Sequence, residues 1–267
     1  MALRLLSVNF SAHQSLTIWS KKSSESKQST PYGLKKGCFW CMIIGSHELN
    51  KERGRSSLVR TAVLVSGGGS NLQAILASRL FGEIQNCELV SVISSSQNAY
   101  ALDRARAAGI EVSVVDVTAF PTKRTFNTAL LQKLHDLDVE LIVLAGFMQI
   151  LQRPIVKEYE NRIINVHPSL LPAFTESDCF GLRVHERVIE SGVKVSGATV
   201  HFVTEEIDRG PIILQKAVDV LQDDTPKILQ RRVMEQAEWE ILPRAMDLFC
   251  RGKLQVEGHK VLIKEDV

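Results

Sequence analysis

Three polar side chains that could transfer protons lie in two short stretches of the sequence. Asn165 and His167 begin "NVHPSLLPAF", and Asp208 lies in "ATVHFVTEEIDRGPII", downstream of His201. An amide can donate a hydrogen bond to a developing oxyanion, and an imidazole exchanges protons near neutral pH. A carboxylate beside an imidazole orients the ring and favours its charged form. This combination suits transfer of an acyl-type group through a tetrahedral intermediate.

Each of these residues also has a purely structural interpretation. A single histidine is more often a packing residue, and Asp-Arg-Gly is an ordinary turn sequence. Ser169 lacks the G-x-S-x-G elbow of a serine nucleophile. The seven histidines include no H-x-x-x-H pair or comparable cluster, so we expect no metal.

A glycine-rich stretch, "SGGGSN" from Ser66 to Asn71, lies between an apolar run and a helical pattern. Glycines let the backbone turn tightly and approach a ligand, and amides at the start of a helix favour an anion. We expect a phosphate or a similar anion there. Leu72 stands where a dinucleotide fingerprint needs glycine, and the G-K-[ST] of a phosphate-binding P-loop is absent. A plain tight turn is the alternative.

The elements that position these residues alternate between strand and helix. Apolar runs such as "TAVLV", "ELVSVIS", "VELIVLAG" and "RIINVH" are separated by helical patterns. This order predicts an α/β fold with an open, mainly parallel twisted sheet and helices on both faces. In such sheets ligands bind beyond the carboxyl ends of the strands. The glycine stretch and the Asn165–His167 stretch are therefore expected at one edge.

The C-terminal part predicts a different arrangement. "SGATVHFVTEE" and "PIILQKAVDVL" indicate two long strands, and the last residues resemble a hairpin, which makes this part antiparallel. A long helix is predicted from Thr225 toward Gly252, and Pro243 should kink or split it. We expect one catalytic domain over residues 60–267.

Overall composition excludes several classes of protein. The chain has 267 residues, a net charge of +2 and 45% hydrophobic residues, which indicates a globular core and disfavours nucleic-acid binding. No stretch reaches the ~18 apolar residues of a membrane helix, so we expect no membrane partner. A monomer or a homodimer is expected.

Residues 1–59 differ from the rest in composition. Residues 1–60 contain ten Lys or Arg, three acids and eleven serines, the bias of an organelle transit peptide. A plastid is the expected destination, with the mitochondrion as a second possibility and a cytosolic tail as the alternative. Cys38 and Cys41 form a C-x-x-C pair here, without the second ligand pair of a zinc site or the βαβ context of a redox motif.

Four ordered motifs resemble the formyltransferase family that uses 10-formyltetrahydrofolate. They are "SGGGSNLQAI", "VLAGFMQIL", "NVHPSLLPAF" and "GATVHFVTEEIDRGPIILQ", and the resemblance covers Val63 to Leu254. It implies a Rossmann-like formyltransferase fold and, most closely, formylation of the amine of glycinamide ribonucleotide in purine (IMP) biosynthesis. The substrate's amine would then be the nucleophile, and no metal would take part.

The resemblance also assigns roles to individual residues. It implies that Asn165, His167 and Asp208 are catalytic, and that protonated His167 helps Asn165 to steady the oxyanion. It places glycinamide ribonucleotide on Gly69, Ser70, Asn71 and Glu238. It places the folate on Met148, Gln149, Ile150 and Leu151, on Thr204, Glu205, Glu206 and Ile207, and near Lys123 or Arg124. The Leu171–Pro172 bond matches a family position that is expected to be cis.

Three positions depart from the family pattern. The loop 175–183 has one glycine, whereas longer-loop relatives tend to be glycine-rich there. Gln149 replaces a usually basic residue, and the stretch before Glu238 is one residue longer than expected. A formyltetrahydrofolate hydrolase (deformylase) is one alternative, although such relatives carry H-H-S where this chain has Pro168 after His167. Initiator-tRNA formylation, which normally needs a basic C-terminal domain, and a non-catalytic nucleotide-binding relative are the others.

Overall fold

A computed structural model describes residues 58–175 and 179–265. The predicted leader lies outside these residues except for its last two positions, and so do Cys38, Cys41 and part of the 175–183 loop. The leader and its destination therefore stay predictions. The first described strand begins at Val59, one residue before the expected start of the domain.

The N-terminal half alternates strands and helices as predicted. The elements are β1 (Val59–Val65), α1 (Ser70–Leu80), β2 (Cys87–Ser94), α2 (Ala101–Ala107), β3 (Val112–Val114), a 3₁₀ turn (Val117–Ala119), α3 (Lys123–Asp136), β4 (Leu141–Leu144), α4 (Arg153–Glu158) and β5 (Ile163–His167). These five strands pair in parallel in the order β3-β2-β1-β4-β5. Parallel pairing brings their carboxyl ends to one edge.

The C-terminal part extends the same sheet in antiparallel fashion. Its elements are α5 (Leu182–Glu190), β6 (Val195–Phe202), β7 (Ile212–Asp219), α6 (Pro226–Val233), a π-helical turn (Met234–Glu238), α7 (Trp239–Cys250), β8 (Leu254–Glu257) and β9 (Lys260–Ile263). β6 pairs antiparallel with β5 and β7, and β8 with β9 forms the expected hairpin. The predicted mainly parallel sheet with an antiparallel C-terminal part is confirmed.

Two apolar clusters cover the two faces of the sheet. Val63 and Val65 of β1 contribute to a cluster with α1, α2 and the C-terminal helices, whereas Ala62 and Leu64 contribute to one with α3 and α4. Successive residues of a strand point to opposite faces, so a continuous apolar run requires helices on both sides. The packed faces hold the strand ends in place.

The prediction of a break at Pro243 was wrong in its position. Pro243 lies inside α7, and the irregular segment is the π-helical turn that precedes this helix. Proline cannot donate to the carbonyl one turn before it, which is that of Trp239, the first residue of α7. The bond that is missing lies within the first turn of α7, directly after the π turn.

Candidate active site

Asn165 and His167 lie at the carboxyl end of β5, where the sheet changes from parallel to antiparallel. In the β5–β6 ladder, Asn165 is opposite His201 and His167 is opposite Thr199. Opposed residues in an antiparallel pair project to the same face, as do residues two apart on one strand. The register therefore brings Asn165, His167 and His201 together, and Asn165 Nδ2 lies 3.2 Å from His201 Nε2.

Asp208 completes this cluster from the loop between β6 and β7. Its Oδ2 lies 3.3 Å from His167 Nδ1 and its Oδ1 lies 3.5 Å from His201 Nε2. The backbone of Asp208 has a φ of 52°, in the left-handed region that Asp tolerates better than most residues. The carboxylate thus faces two imidazoles that are almost fully buried.

Opposing effects act on the pKa of each charged group. Burial lowers the pKa of His167 below its usual value, while the Asp208 carboxylate and the Phe174 carbonyl raise it, with a net decrease. Burial raises the pKa of Asp208, but a hydrogen bond from His201 and the two imidazoles outweigh it and leave a net decrease. Burial thus disfavours the His167 imidazolium, and the neighbouring carboxylate favours it.

The contacts of His167 nevertheless match a protonated ring. Its Nε2 lies 3.1 Å from the carbonyl oxygen of Phe174, and its Nδ1 faces Asp208. Both partners accept hydrogen bonds, so only the imidazolium can donate to both at once. The site is therefore arranged to stabilise a proton that burial alone would remove.

The glycine stretch and Glu238 are in contact through the side chain of Asn71. Gly69, with a φ of 72°, is the N-cap of α1, and Ser70 is its first helical residue. Asn71 Nδ2 donates to Glu238 Oε2 at 2.7 Å. Both side chains are buried, and burial raises the pKa of Glu238 to about 7 despite the hydrogen bond. Asn71 Oδ1 is buried with no hydrogen-bond partner among the described residues.

The predicted folate segment 148–151 is attached to two other parts of the site. The Met148 amide donates to Ser66 Oγ at 2.9 Å, just before the glycines. Asn127 Nδ2 donates to the carbonyls of Lys123 (2.9 Å) and Ile150 (3.4 Å), and Asn127 Oδ1 accepts from the Gln152 amide. Buried Asn127 thereby holds the start of α3, with Lys123 and the adjacent Arg124, against this segment.

The remaining predicted folate residues differ in exposure. Met148, Ile150 and Ile207 are 56%, 55% and 51% exposed, which is high for apolar side chains, whereas Leu151 is buried in the core and Gln149 is half-buried. Glu205 forms an exposed ion pair with Arg153 at 3.1 Å, which connects the 204–207 loop to the end of the 148–151 segment. Lys123, Arg124 and Glu206 are exposed, and Thr204 is half-buried.

The segment after His167 is fixed by the hydroxyl of Thr199. Thr199 Oγ1 donates to the Ser169 carbonyl at 2.7 Å and accepts from the Leu171 amide at 3.0 Å and from Gln215 Nε2 at 2.9 Å. The Leu171–Pro172 bond is cis, as expected. Residues 176–178 of the following loop lie outside the description, and the loop ends at Gly181, the N-cap of α5.

Several residues around the site were missed at the level of sequence. Ser66, Asn127 and Thr199 are small polar residues whose importance depends on contacts with distant segments. His185 on α5 is fully buried, neither ring nitrogen has a hydrogen-bond partner among the described residues, and burial with a smaller effect of His167 lowers its pKa to about 4. Its sequence signal, a histidine on the apolar face of a helix, is not specific.

No group of three or more His, Cys, Asp or Glu side chains is arranged to hold a metal ion in the described part of the chain. Among the described helices, none is both long and apolar enough to cross a membrane.

The fold and the site define a group-transfer type of α/β protein, in which an amide, an imidazole and a carboxylate lie at the same sheet edge as a glycine-rich loop. Residues 59–246 match the formyl transferase family. A phosphoribosylglycinamide formyltransferase of Escherichia coli (strain K12) is 38% identical over 194 residues, 73% of this chain and 88% of that protein. The chain belongs to the formyl transferase family, which confirms the resemblance.

Two further comparisons describe its relatives. The trifunctional purine biosynthetic protein adenosine-3 of Gallus gallus is 43% identical over 211 residues, 79% of this chain; the match covers only 20% of that relative's length. The crystal structure of glycinamide ribonucleotide transformylase 1 from Symbiobacterium toebii has a TM-score of 0.74 and 44% identity. That match covers 79% of this chain and 96% of the other, so the folds agree over nearly the whole relative.

Proposed function

We propose that the protein transfers the formyl group of 10-formyltetrahydrofolate to the amine of glycinamide ribonucleotide. One observation carries the proposal: the ends of β1, β4 and β5, which are neighbours in the sheet, lead to the glycine stretch, the 148–151 segment and the Asn165–His167 pair. Anion binding, donor binding and proton transfer are therefore adjacent at one edge. The family relation and the names of the relatives support the same reaction.

The cluster of Asn165, His167 and Asp208 accounts for the chemistry. The substrate amine attacks the formyl carbon, a C–N bond forms, and the carbonyl oxygen becomes an oxyanion. The Asn165 amide donates a hydrogen bond to that oxygen, and so does His167 Nε2–H, which exchanges the Phe174 carbonyl for the oxyanion while Nδ1–H stays on Asp208. When the intermediate collapses, the bond to folate N10 breaks, and the amine's proton passes to N10 with the Asp208 carboxylate orienting the ring and the transferring water.

The two substrates would be recognised by different chemistry. The phosphate of the ribonucleotide would sit on the amides of Gly69, Ser70 and Asn71, where the start of α1 favours negative charge. Glu238, whose pKa burial raises to about 7, would offer a hydrogen-bonding carboxyl group to the same substrate. The folate would lie on the exposed apolar residues Met148, Ile150 and Ile207, and the cations Lys123 and Arg124 suit its acidic tail.

Purified protein with 10-formyltetrahydrofolate, tested with and without glycinamide ribonucleotide, decides the reaction. We expect release of tetrahydrofolate only when the ribonucleotide is present. Asn165→Ala and His167→Ala should each lower kcat by about 100-fold or more. His259→Ala, an exposed histidine in the β8–β9 turn, is the matched control and should match the wild type.

Hydrolysis of the same donor is the alternative to exclude. It would appear as formate release in the absence of the ribonucleotide, at a rate that addition of the ribonucleotide does not increase. That result would contradict the proposed transfer. Unchanged turnover in both active-site variants would contradict the roles assigned to Asn165 and His167.

A further inference from the structure

Helix α2 lies directly against the glycine stretch. A Cβ atom built on Gly69 would be 2.6 Å from Cβ of Ala101, closer than real side chains approach. The Ala101 amide donates to the Gly67 carbonyl at 3.0 Å, and Arg104 Nε donates to the Gly68 carbonyl at 2.9 Å. Two consecutive peptide groups of the stretch are thus held by α2 through their oxygen atoms.

These two bonds determine where the neighbouring amides point. A trans peptide group is planar, and its N–H is directed opposite to its carbonyl. The Gly68 amide belongs to the peptide whose oxygen faces Ala101, and the Gly69 amide to the peptide whose oxygen faces Arg104. Both N–H groups therefore point away from α2. Neither donates to any group in the described part of the chain, so both can bind an anion.

Arg104 also places a positive charge on the carbonyl side of this loop, opposite the two free amides. Its Nη1 donates to Gln73 Oε1 of α1 at 2.9 Å, and its guanidinium lies 4.9 Å from the centre of the Tyr100 ring. These three contacts hold the Arg104 guanidinium near the start of α1. Its Nη2 takes part in no hydrogen bond with the described residues. The guanidinium charge therefore acts across the loop and adds to the positive potential that the two amides present to an anion.

We propose that Arg104 determines phosphate recognition, both by orienting the Gly68–Gly69 peptide and by supplying charge. This inference rests on the proposed function, since it concerns the phosphate end of glycinamide ribonucleotide. The residue touches the loop and not the reacting atoms, so its role is in positioning and binding. Its effect is expected on the affinity for the ribonucleotide and for inorganic phosphate.

The test compares Arg104→Ala with Arg106→Ala in steady-state kinetics. Arg106 lies on the same short helix but pairs only with exposed Asp103, so its removal changes the net charge equally without touching the loop. For Arg104→Ala we expect the KM for the ribonucleotide and the inhibition constant of inorganic phosphate to rise about tenfold or more. The KM for the folate donor should stay within about twofold. Arg106→Ala should leave all three constants unchanged.

Direct phosphate binding separates failure of this inference from failure of the proposed reaction. Binding of inorganic phosphate to the wild type and to Arg104→Gln, a variant without charge but of similar length, can be measured by calorimetry without turnover. Weaker binding by Arg104→Gln supports the inference even if the wild type does not transfer formyl groups. Equal phosphate binding by the wild type, Arg104→Gln and Arg106→Ala would overturn it, and so would a folded Arg104→Ala with wild-type kinetics.

Discussion

Replacement of Glu238 by glutamine should change how the stability of the protein depends on pH. Burial raises the pKa of this carboxyl from 4.5 to about 7, so the folded state keeps a proton that the unfolded chain has lost. Its contribution to stability is fully present below pH 4.5 and is lost as the pH rises to about 7. At about 1.4 kcal/mol per pKa unit, the loss is about 3 kcal/mol over this window.

Urea unfolding of the wild type and Glu238→Gln between pH 4.5 and 8 measures this effect. The difference between the two free energies of unfolding should move by about 3 kcal/mol in favour of the glutamine variant as the pH rises, because glutamine cannot ionise. The contributions of the other titrating groups cancel in the difference between the two free energies of unfolding. Gln236→Ala, in the same π turn but exposed and not titratable, should run parallel to the wild type.

Parallel curves for Glu238→Gln and the wild type would refute the reasoning, since they would mean that the buried carboxyl ionises as easily in the folded protein as in the unfolded chain. The pH dependence of the wild type's free energy of unfolding, taken alone, is a poorer test because a second buried group titrates in the same range. Burial lowers the pKa of His185 to about 4, and that group loses its stabilising contribution as the pH falls from 6.5 toward 4. The two titrations oppose each other in nearly the same pH range.

Three further substitutions test how the site is held together. Gly69→Ala should unfold the protein or destabilise it by more than about 2 kcal/mol in urea, because its Cβ meets Ala101 and its φ is 72°, whereas Gly68→Ala meets nothing within 4 Å and should stay stable. Ser66→Ala loses the hydrogen bond from the Met148 amide and should raise the KM for the folate donor about fivefold without changing the KM for the ribonucleotide. Equal effects on both KM values would contradict this prediction. Thr199→Val leaves the buried Ser169 carbonyl and Leu171 amide without their hydrogen-bond partner and should lower the free energy of unfolding in urea by about 2 to 3 kcal/mol. A smaller decrease would show that these hydrogen bonds are dispensable.

The order of elements and the edge that carries the site could be predicted because they depend on local patterns. Continuous apolar runs such as residues 62–65 indicated strands buried on both faces, and the two clusters confirm it. The carboxyl ends of parallel strands share one edge, so Asn165 and the glycine stretch could be expected near each other. These inferences need only the identity of each segment and not its contacts.

Contacts between distant segments could not be predicted in the same way. The bond from Met148 to Ser66 joins residues 82 positions apart, and that from Asn71 to Glu238 joins residues 167 apart. Each depends on strand register and side-chain rotamers, which a single sequence does not determine. Serine, asparagine and threonine are also common in turns, so their presence at these positions carries little signal.

The π-helical turn explains why Glu238 reaches Asn71 although the sequence before it is one residue too long. In an α-helix each residue advances the side chain by about 100°, so one extra residue would rotate Glu238 away from the core. A π turn places one more residue in a single turn and leaves the following residues in phase. Ala237, Ile241 and Leu242 accordingly remain buried on one face. The π turn thus accommodates the extra residue, and Glu238 forms its buried hydrogen bond with Asn71.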